Sequence, residues 1–288
     1  MKNILITGAN GQLGNEIRVA SGQFPQFWFF FTDVTELDIC NREAVHAYMA
    51  ENHMDGIVNC AAYTAVDKAE DDAETCYRIN RDAVKNLAEA AREYKLDIIH
   101  VSTDYVFDGK SYLPYTEVMP VNPSSVYGKS KLEGERILME ICPEAVIVRT
   151  SWLYSSFGNN FVKTMLRLGQ ERDKLNVIFD QVGTPTYAAD LAVALLSILA
   201  AGKPTAGIYH YSNEGVCSWY DFTVKIHQLA GISDCKVLPV GSDSYPTKAR
   251  RPHYSVLDKS KIKDVYQLEI PHWETSLRNC LERLAASN

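Results

Sequence analysis

The chain has 288 residues, 46% hydrophobic and 23% charged, which suits a globular protein large enough for one α/β unit and a smaller lobe. Its formal net charge of −7, from 29 basic and 36 acidic side chains, argues against a nucleic-acid-binding protein. The seven scattered cysteines form no C-x-x-C pair, which argues against disulfides and zinc sites and favours a reducing, cytoplasmic environment.

The first half of the chain alternates short apolar runs with helical patterns, which predicts a parallel sheet with crossover helices. The predicted strands are residues 3–7, 27–32, 56–60, 97–102 and 145–149, and the predicted helices are residues 12–21, 42–52, 75–94 and 125–141. Strands that are apolar throughout are buried on both faces. The aromatic run at residues 24–31 is far shorter than the ~20 residues of a membrane helix, so we expect a buried strand there and no membrane association.

Beyond residue 150 the alternation loosens. Helices are predicted at residues 161–169, 190–201 and 218–230, and strands at residues 176–179 and 208–211. We therefore expect an α/β fold with a Rossmann-type doubly wound parallel sheet in residues 1–150, which would bind a cofactor. Residues 151–288 are expected to form a smaller α/β substrate lobe, with some segments that return to the Rossmann core.

A glycine-rich loop directly follows the first predicted strand. Residues 7–14 read Thr-Gly-Ala-Asn-Gly-Gln-Leu-Gly, so Gly8, Gly11 and Gly14 form a G-x-x-G-x-x-G pattern at the start of a helix. Glycines there allow a tight turn and a close approach of the backbone to a pyrophosphate, while the helix N-terminus offers unpaired N–H groups. The strand, turn and helix context therefore predicts a dinucleotide site.

Asp33 ends the second predicted strand, where an acidic side chain can hydrogen-bond the ribose hydroxyls of a bound adenosine. Such a carboxylate repels a 2′-phosphate, which favours NADH over NADPH. Asp38 competes for the same role, a nearby Lys or Arg would reverse the preference, and Asp33 could also be an ordinary turn residue. The expected cofactor is therefore NADPH or NADH, with the choice left open.

Tyr127 and Lys131 lie four residues apart in a predicted helix, a spacing that places both side chains on one face. A tyrosine titrates near ~10, and a neighbouring ammonium lowers that pKa, so the pair is typical of an acid catalyst. Thr103 stands at the carboxyl end of a predicted strand, where a hydroxyl can polarise a carbonyl, although it could also cap the next segment. Together with the glycine loop, these residues predict a reductase or dehydrogenase.

These motifs resemble those of the extended short-chain dehydrogenase/reductase family. Within it, the sequence is similar to the branch that reduces the C4 keto group of dTDP-4-dehydro-6-deoxy-L-mannose to dTDP-L-rhamnose, a precursor of cell-surface polysaccharide. The matching segments are Asn-Cys-Ala-Ala-Tyr-Thr-Ala-Val-Asp at residues 59–67, Ser-Thr-Asp-Tyr-Val-Phe at residues 102–107, and residues 11–14, 127–131, 149–154, 160–162, 180–186 and 251–252. They run almost from end to end of the chain.

The resemblance implies a role for each matching residue. Around the cofactor, these would be Gly11, Gln12 and Leu13 at the phosphates, Asp33, Asp38 and Ile39 at the adenosine, and Ala62, Tyr63, Thr64 and Lys131 further along. At the deoxysugar they would be Thr103, Asp104, Tyr127 and Trp152. An aromatic face suits the apolar side of such a sugar, although Trp152 could also be an ordinary packing residue.

A basic loop at residues 248–252 is the candidate site for the negatively charged diphosphate of a nucleotide-sugar substrate. Arg251 is the favoured residue, because a guanidinium offers a planar pair of donors. The alternative is a solvated basic loop that binds no ligand.

Some members of the resembled family hold Mg2+ between two subunits through three glutamates. Glu16 and Glu282 fall at matching places, but Ala189, beside Asp190, takes the place of the third. Magnesium needs several oxygen ligands, so this departure argues against the metal and leaves Glu16 and Glu282 as weak candidate ligands. Glu16 is otherwise expected to be a solvated charge, and a homodimer is compatible with the resemblance.

Two other functions share the predicted fold. A nucleotide-sugar dehydratase or epimerase would keep the glycine loop, but a dehydratase commonly has an Asp-Glu pair where this chain has Asp104 and Tyr105. A non-catalytic regulatory subunit of the methionine adenosyltransferase type need not keep the full set of Thr103, Tyr127 and Lys131, which this chain has. The sequence therefore favours the reductase.

Overall fold

The computed structural model describes residues 1–286, and its strands and helices alternate through the first half of the chain. The strands of residues 1–286 are β1 (Lys2–Thr7), β2 (Phe27–Thr32), β3 (Gly56–Asn59), β4 (Asp97–Thr103), β5 (Val146–Thr150), β6 (Leu153–Tyr154), β7 (Lys174–Ile178), β8 (Val182–Gly183), β9 (Thr186–Tyr187), β10 (Gly207–His210), β11 (Cys217–Ser218) and β12 (Lys236–Val240). The helices are α1 (Gln12–Ala20), α2 (Arg42–Glu51), α3 (Val66–Ala69), α4 (Ala73–Tyr77), α5 (Ala83–Tyr94), α6 (Val126–Ile141), α7 (Phe161–Glu171), α8 (Ala188–Ala200), α9 (Trp219–Ala230), α10 (Ser260–Tyr266) and α11 (Trp273–Ala286).

A parallel sheet of six strands, in the order β10-β5-β4-β3-β1-β2, organises these elements. The strand order reverses beside β1, because β2 pairs with one edge of β1 and β3 with the other. In a doubly wound sheet the crevice at this reversal, outside the carboxyl ends of the strands, is where ligands bind. The predicted Rossmann-type fold class is confirmed.

Side chains that alternate along the strands fill two hydrophobic layers, one on each face of the sheet. Ile4 and Ile6 of β1 belong to the layer under α1 and α8, and Leu5 belongs to the layer under α2 and α5. Both faces are therefore covered, which explains why the central strands are apolar along their whole length.

The smaller lobe has its own hydrophobic cluster, which includes the aromatic side chains of Tyr154, Phe222 and Trp273. Two-stranded sheets frame it, with β6 paired to β9, β7 to β12 and β8 to β11. β10 comes from the second half of the chain but adds a strand to the main sheet beside β5. The expected division of the chain at residue 150 stays a prediction.

Two predicted elements differ from those observed. The helix expected at residues 75–94 is interrupted, because a π-helical turn at Arg78–Asp82 joins α4 to α5. Such turns use the same residue types as an α-helix, so periodicity does not reveal them. The strand expected to be buried within residues 24–31 is β2, which lies at the edge of the sheet with Trp28 61% exposed.

The sequence patterns also did not predict β12, α10 or α11, where apolar periodicity is short or irregular. In the part of the chain described, no helix combines the length and the hydropathy that a membrane crossing requires.

A buried ion pair ties α6 to the sheet. Arg149 of β5 donates to Glu135 of α6 through Nε at 2.9 Å and Nη2 at 2.6 Å, and Ser102 of β4 donates to the same carboxylate at 2.5 Å. Both charged side chains are almost completely buried. Removing one member of such a pair leaves the other charge buried without compensation, which is strongly destabilising.

We therefore expect Glu135→Ala to lower the free energy of unfolding by about 3–5 kcal/mol, because Arg149 would remain buried and unpaired. The matched control is Glu171→Ala, which removes the partner of Arg167 from an exposed pair on α7. That change should cost at most about 0.5 kcal/mol. Urea denaturation followed by circular dichroism measures both values, and equal losses in the two variants would contradict the prediction.

Candidate active site

A crevice of about 810 Å3 lies at the carboxyl ends of β1, β3, β4 and β5, where the strand order reverses. Most of the predicted site residues share its wall. They are Gly8, Gly11, Gln12, Leu13, Asp33, Asp38, Ile39, Ala62, Thr64, Thr103, Asp104, Tyr127, Lys131, Trp152 and Arg251. The predicted residues Tyr63, Glu16 and Glu282 lie outside this wall.

The glycine loop closes one end of the crevice. Gly8 has a φ of +61°, and a Cβ there would lie 2.7 Å from the Cα of Ala61. A Cβ on Gly14 would lie 2.5 Å from the carbonyl oxygen of Gly8, so the loop and α1 pack closely only because both residues are glycine. α1 begins at Gln12, and no side chain caps its first N–H groups. These donors on the crevice wall suit a pyrophosphate.

Acidic side chains border the crevice beyond the loop. Asp33 accepts a hydrogen bond from the N–H of Asn10 at 3.1 Å, which joins the end of β2 to the glycine loop. Asp38 accepts the N–H of Cys40 at 2.9 Å. Arg78 of the π-helical turn also lines the crevice, and its carbonyl oxygen lies 3.9 Å from the Cys40 sulfur. This guanidinium is the kind of basic group that offsets the repulsion of a 2′-phosphate by Asp33.

Tyr127 and Lys131 lie on one face of α6, at the centre of the crevice. Gly128 has no room for a side chain, since a Cβ would lie 2.3 Å from the carbonyl oxygen of Tyr105. This close approach sets α6 against the turn that follows β4. As a result, the Tyr127 hydroxyl lies next to the side chain of Thr103.

A chain of buried hydrogen bonds holds Lys131. Its Nζ donates to the Val101 carbonyl at 2.7 Å and lies 3.2 Å from Nε2 of His100. The N–H of Ala61, which can only donate, lies 3.2 Å from Oδ1 of Asn59, so the Asn59 amide nitrogen faces Nδ1 of His100 at 2.9 Å. With this amide orientation Nδ1 is the acceptor, so Nε2 of the neutral imidazole carries the proton and offers the Lys131 ammonium no acceptor. The hydrogen bond that holds Lys131 is the one to the Val101 carbonyl.

Burial controls the protonation of these groups. It lowers the pKa of Lys131 to about 8, with the Glu135 carboxylate opposing, and it lowers the pKa of His100 well below its usual range. Burial raises the pKa of Tyr127, and the hydrogen bond with Thr103 opposes that rise. The net shift of the Tyr127 pKa is therefore upward, with burial as its largest cause, and the expected effect of the Lys131 ammonium stays a prediction. At neutral pH Tyr127 is a protonated phenol.

Asp104 is a buried carboxyl next to Thr103 on the crevice wall. Thr103 Oγ1 donates to its Oδ1 at 3.0 Å, whereas its buried Oδ2 has no hydrogen-bond partner within residues 1–286. Burial raises the pKa of Asp104 to about 7, and hydrogen bonds from Thr103 and Ser255 oppose the shift. Near neutral pH the group is therefore divided between its acid and carboxylate forms.

Trp152 and Arg251 line the crevice where the smaller lobe meets the sheet. Trp152 stacks face to face on Trp219, with ring centroids 3.5 Å apart and planes inclined by 6°. Arg251 donates to Asp67 at 2.6 Å and to the hydroxyl of Tyr105 at 3.3 Å. The Arg251 guanidinium is thus fixed beside the crevice instead of being freely solvated.

The backbone and the hydroxyl of Tyr63 have partners outside the crevice. Its N–H donates to Oδ1 of Asn80 at 2.9 Å, and the Asn80 amide donates back to its carbonyl at 3.1 Å. Its hydroxyl donates to Asp72 at 3.2 Å. The neighbours Ala62 and Thr64 line the crevice, so this segment presents the residues on either side of Tyr63.

The weak metal candidates do not form a metal site. Glu16 is 1% exposed, and its carboxylate accepts from Ser155 at 2.6 Å and from Arg283 at 2.7 Å. The expectation of a solvated Glu16 is wrong, because α11 from the other end of the chain covers it and supplies a cation. Glu282 is exposed on α11. Within residues 1–286 of a single chain, no group of three His, Cys, Asp or Glu side chains could hold an ion, and Arg283 already contacts the Glu16 carboxylate.

Three residues of this site were not predicted from the sequence: Arg78, His100 and Trp219. His100 carries a local signal, since it is a polar side chain within an otherwise apolar strand. Arg78 and Trp219 carry none, because the packing of distant segments brings Arg78 to the crevice and Trp219 against Trp152.

Comparison with known proteins gives one consistent result. The family described as RmlD substrate binding domain matches residues 1–286. The dTDP-4-dehydrorhamnose reductase of Aggregatibacter actinomycetemcomitans is 42% identical to this chain, over 97% of this chain and 98% of that protein.

Two solved structures are similar over almost their whole length. A dTDP-4-dehydrorhamnose reductase from Clostridium acetobutylicum is 45% identical with a TM-score of 0.93, covering 98% of this chain and 99% of that one. The dTDP-4-dehydrorhamnose reductase from Bacillus anthracis, solved in complex with NADP, is 39% identical with a TM-score of 0.93, covering 98% and 100%.

We expect Asp33→Ala to weaken the binding of NADH more than that of NADPH. The change removes an acceptor for the ribose and also a charge that repels the 2′-phosphate. A lost hydrogen bond to a charged group is worth about 1.5–3 kcal/mol, or roughly ten- to hundredfold in Kd for NADH. Fluorescence titration with each dinucleotide measures the effect, and Asp38→Ala, which removes the competing candidate, is titrated in parallel. Equal changes for both dinucleotides in Asp33→Ala would assign the discrimination to another residue.

Proposed function

This chain belongs to the dTDP-4-dehydrorhamnose reductase family, and we propose that its crevice performs the reaction of that family with Tyr127, Lys131 and Thr103 as catalytic residues. The enzyme is an NAD(P)H-dependent oxidoreductase of dTDP-rhamnose biosynthesis. It reduces the C4 keto group of dTDP-4-dehydro-6-deoxy-L-mannose to the hydroxyl of dTDP-L-rhamnose. The observation that supports the residue assignment is the single crevice wall that carries the glycine loop, Thr103 and Tyr127 together.

The dinucleotide, when bound, supplies the hydride that adds to C4 of the sugar. The Thr103 hydroxyl, which donates to Asp104 in the unliganded protein, turns its proton to the C4 oxygen and stabilises the negative charge that develops there. Tyr127 gives its phenolic proton to that oxygen as the carbon–oxygen double bond becomes a single bond. Lys131, one helical turn further along α6, stabilises the phenolate that remains and binds the nicotinamide ribose. A proton taken up from water then restores the Tyr127 phenol.

Asp104, Trp152 and Arg251 are proposed to bind the substrate. In its neutral form Asp104 can donate from Oδ2, which lacks a partner in the part of the chain described, to a sugar hydroxyl. The Trp152 indole offers an apolar surface to the 6-methyl side of the deoxysugar. Arg251, which Asp67 and Tyr105 hold beside the crevice, has donors for the diphosphate.

No specific observation favours either alternative function, the nucleotide-sugar dehydratase or epimerase and the non-catalytic regulatory subunit. Thr103, Tyr127 and Lys131 are all present on one crevice wall, which a non-catalytic subunit would not need. Asp104 is followed by Tyr105, whose hydroxyl contacts Arg251, and not by the glutamate of a dehydratase. A cytoplasmic location is proposed because the seven cysteines are free thiols, and the homodimer stays a prediction.

We expect Tyr127→Phe to lower kcat by about two to four orders of magnitude, because it removes the proton donor and keeps the ring. The cofactor Kd and the thermal unfolding temperature should stay close to those of the wild type. The assay follows the loss of NADPH or NADH absorbance with dTDP-4-dehydro-6-deoxy-L-mannose, each cofactor in parallel. Tyr63→Phe is the matched control, since its hydroxyl contacts Asp72 outside the crevice. Turnover of Tyr127→Phe within about threefold of the wild type would refute the assignment of the acid.

We expect the substrate KM of the wild type to rise as the pH passes about 7, and that of Asp104→Asn to stay level. Burial raises the Asp104 pKa to about 7, so a higher pH removes its donor proton and creates a charge that repels the diphosphate. The stabilising effect of the neutral acid is fully present below the unfolded pKa of about 4 and is lost as the pH rises through about 7.

The free energy of unfolding of Asp104→Asn should therefore increase relative to that of the wild type between about pH 5 and about pH 8. Urea denaturation at a series of pH values measures this difference. Lys131 titrates in both proteins, so only the difference between them reports Asp104. A wild-type KM that stays level across this range would show that Asp104 does not act as a donor.

A further inference from the structure

Trp152 adopts an uncommon backbone conformation. Its φ is +48°, in the left-handed region that a bulky L-residue rarely occupies. Two hydrogen bonds hold the backbone there, because Ser151 Oγ donates to the Thr184 carbonyl at 2.9 Å and the Thr186 N–H donates to the Trp152 carbonyl at 3.1 Å. The position of the indole is therefore imposed by its surroundings and is not a local preference.

The ring of Trp152 is held by two neighbours. Trp219 lies against it at 3.5 Å between centroids, with the planes inclined by only 6°. Gly183 approaches so closely that a Cβ there would lie 2.7 Å from Cε2 and 2.9 Å from Cζ2 of the indole. Trp219 thus covers one face of the indole, and the part that remains uncovered lines the crevice.

Trp219 is itself fixed by the start of α9. Ser218 and Asp221 form a reciprocal capping box, in which the Ser218 hydroxyl accepts the Asp221 N–H at 3.1 Å and the Asp221 carboxylate accepts the Ser218 N–H at 3.0 Å. The ring of Phe161, which also lines the crevice, packs on Trp219 at 4.5 Å. Trp219 therefore lies behind two aromatic rings of the crevice wall without being part of the wall.

We propose that Trp219 is a positioning residue that sets the orientation of Trp152 toward the deoxysugar. This inference rests on the proposed function, in which Trp152 contacts the substrate. Without the Trp219 ring, the strained Trp152 backbone can relax and its indole can turn into the space left behind. The apolar surface that faces the 6-methyl side of the sugar is then lost, while the dinucleotide end of the crevice is unchanged.

The test compares Trp219→Ala and Trp219→Phe with the wild type. Trp219→Ala should raise the KM for dTDP-4-dehydro-6-deoxy-L-mannose by about tenfold, the scale of a lost aromatic contact. Its kcat and its KM for NADPH should stay within about threefold of the wild-type values. Trp219→Phe keeps a ring against Trp152 and should restore most of the sugar KM. Trp28→Phe is the matched control, since Trp28 is exposed on β2 and lies away from the crevice.

Circular dichroism in the strong far-ultraviolet bands of indole reports the stack directly. Two parallel indoles in contact couple their transitions, so the spectrum should lose this exciton signal in both Trp219 variants and keep it in Trp28→Phe. Gly183→Ala is a second approach that leaves α9 intact, because its Cβ pushes against the Trp152 ring from another direction. It should raise the same KM, and it carries the test if Trp219→Ala does not fold.

Wild-type turnover of the dTDP-ketosugar is measured first, so a failure of the proposed function is recognised separately. With an active wild type, an unchanged sugar KM in a folded Trp219→Ala that has lost the exciton signal would overturn the inference. A fall in kcat together with a rise in the KM values for both the sugar and NADPH would also overturn it, because that pattern indicates a general structural role. If Trp219→Ala does not fold, an unchanged sugar KM in a folded Gly183→Ala would do the same.

Discussion

The close packing of α6 against the turn after β4 is the constraint on which the catalytic geometry depends. Gly128 makes this contact possible. Gly134, six residues later in the same helix, also has no room for a side chain, since a Cβ there would lie 2.1 Å from a backbone carbonyl oxygen. The carboxylate of Glu135 then fastens the same helix to β4 and β5. These contacts fix the position of the helix, so Tyr127 lies next to Thr103 on a rigid element and not on a flexible loop.

The features that could be predicted from the sequence are those fixed by neighbours in the chain. The glycine loop and the spacing of Tyr127 and Lys131 are local patterns, so their meaning survives without a structure. The burial of Glu16 could not be predicted, because it depends on α11. The role of Trp219 could not be predicted either, because its partner Trp152 lies on another element. The π-helical turn that carries Arg78 could not be predicted for a related reason, because its register depends on contacts that hydrophobic periodicity does not encode.

Burial moves the three central groups of the crevice toward their neutral forms. It raises the pKa values of Tyr127 and Asp104 and lowers that of Lys131. A protein with a net charge of −7 thereby offers two anionic ligands a reaction centre with little fixed negative charge. The same neutral state keeps a proton on the group that must give it up, which a solvated carboxylate could not do.

The contact between Glu16 and Arg283 has a consequence for how the protein is made. These residues are 267 positions apart, so α1 leaves the ribosome long before its cationic partner has been synthesised. Packing Glu16 into the interior at that stage would bury a carboxylate without compensation. The nascent chain can pair its first strands during translation. The helix that follows the glycine loop, α1, can pack in its final position only after α11 has emerged. The helix that follows the glycine loop is therefore packed against a residue translated 267 positions later.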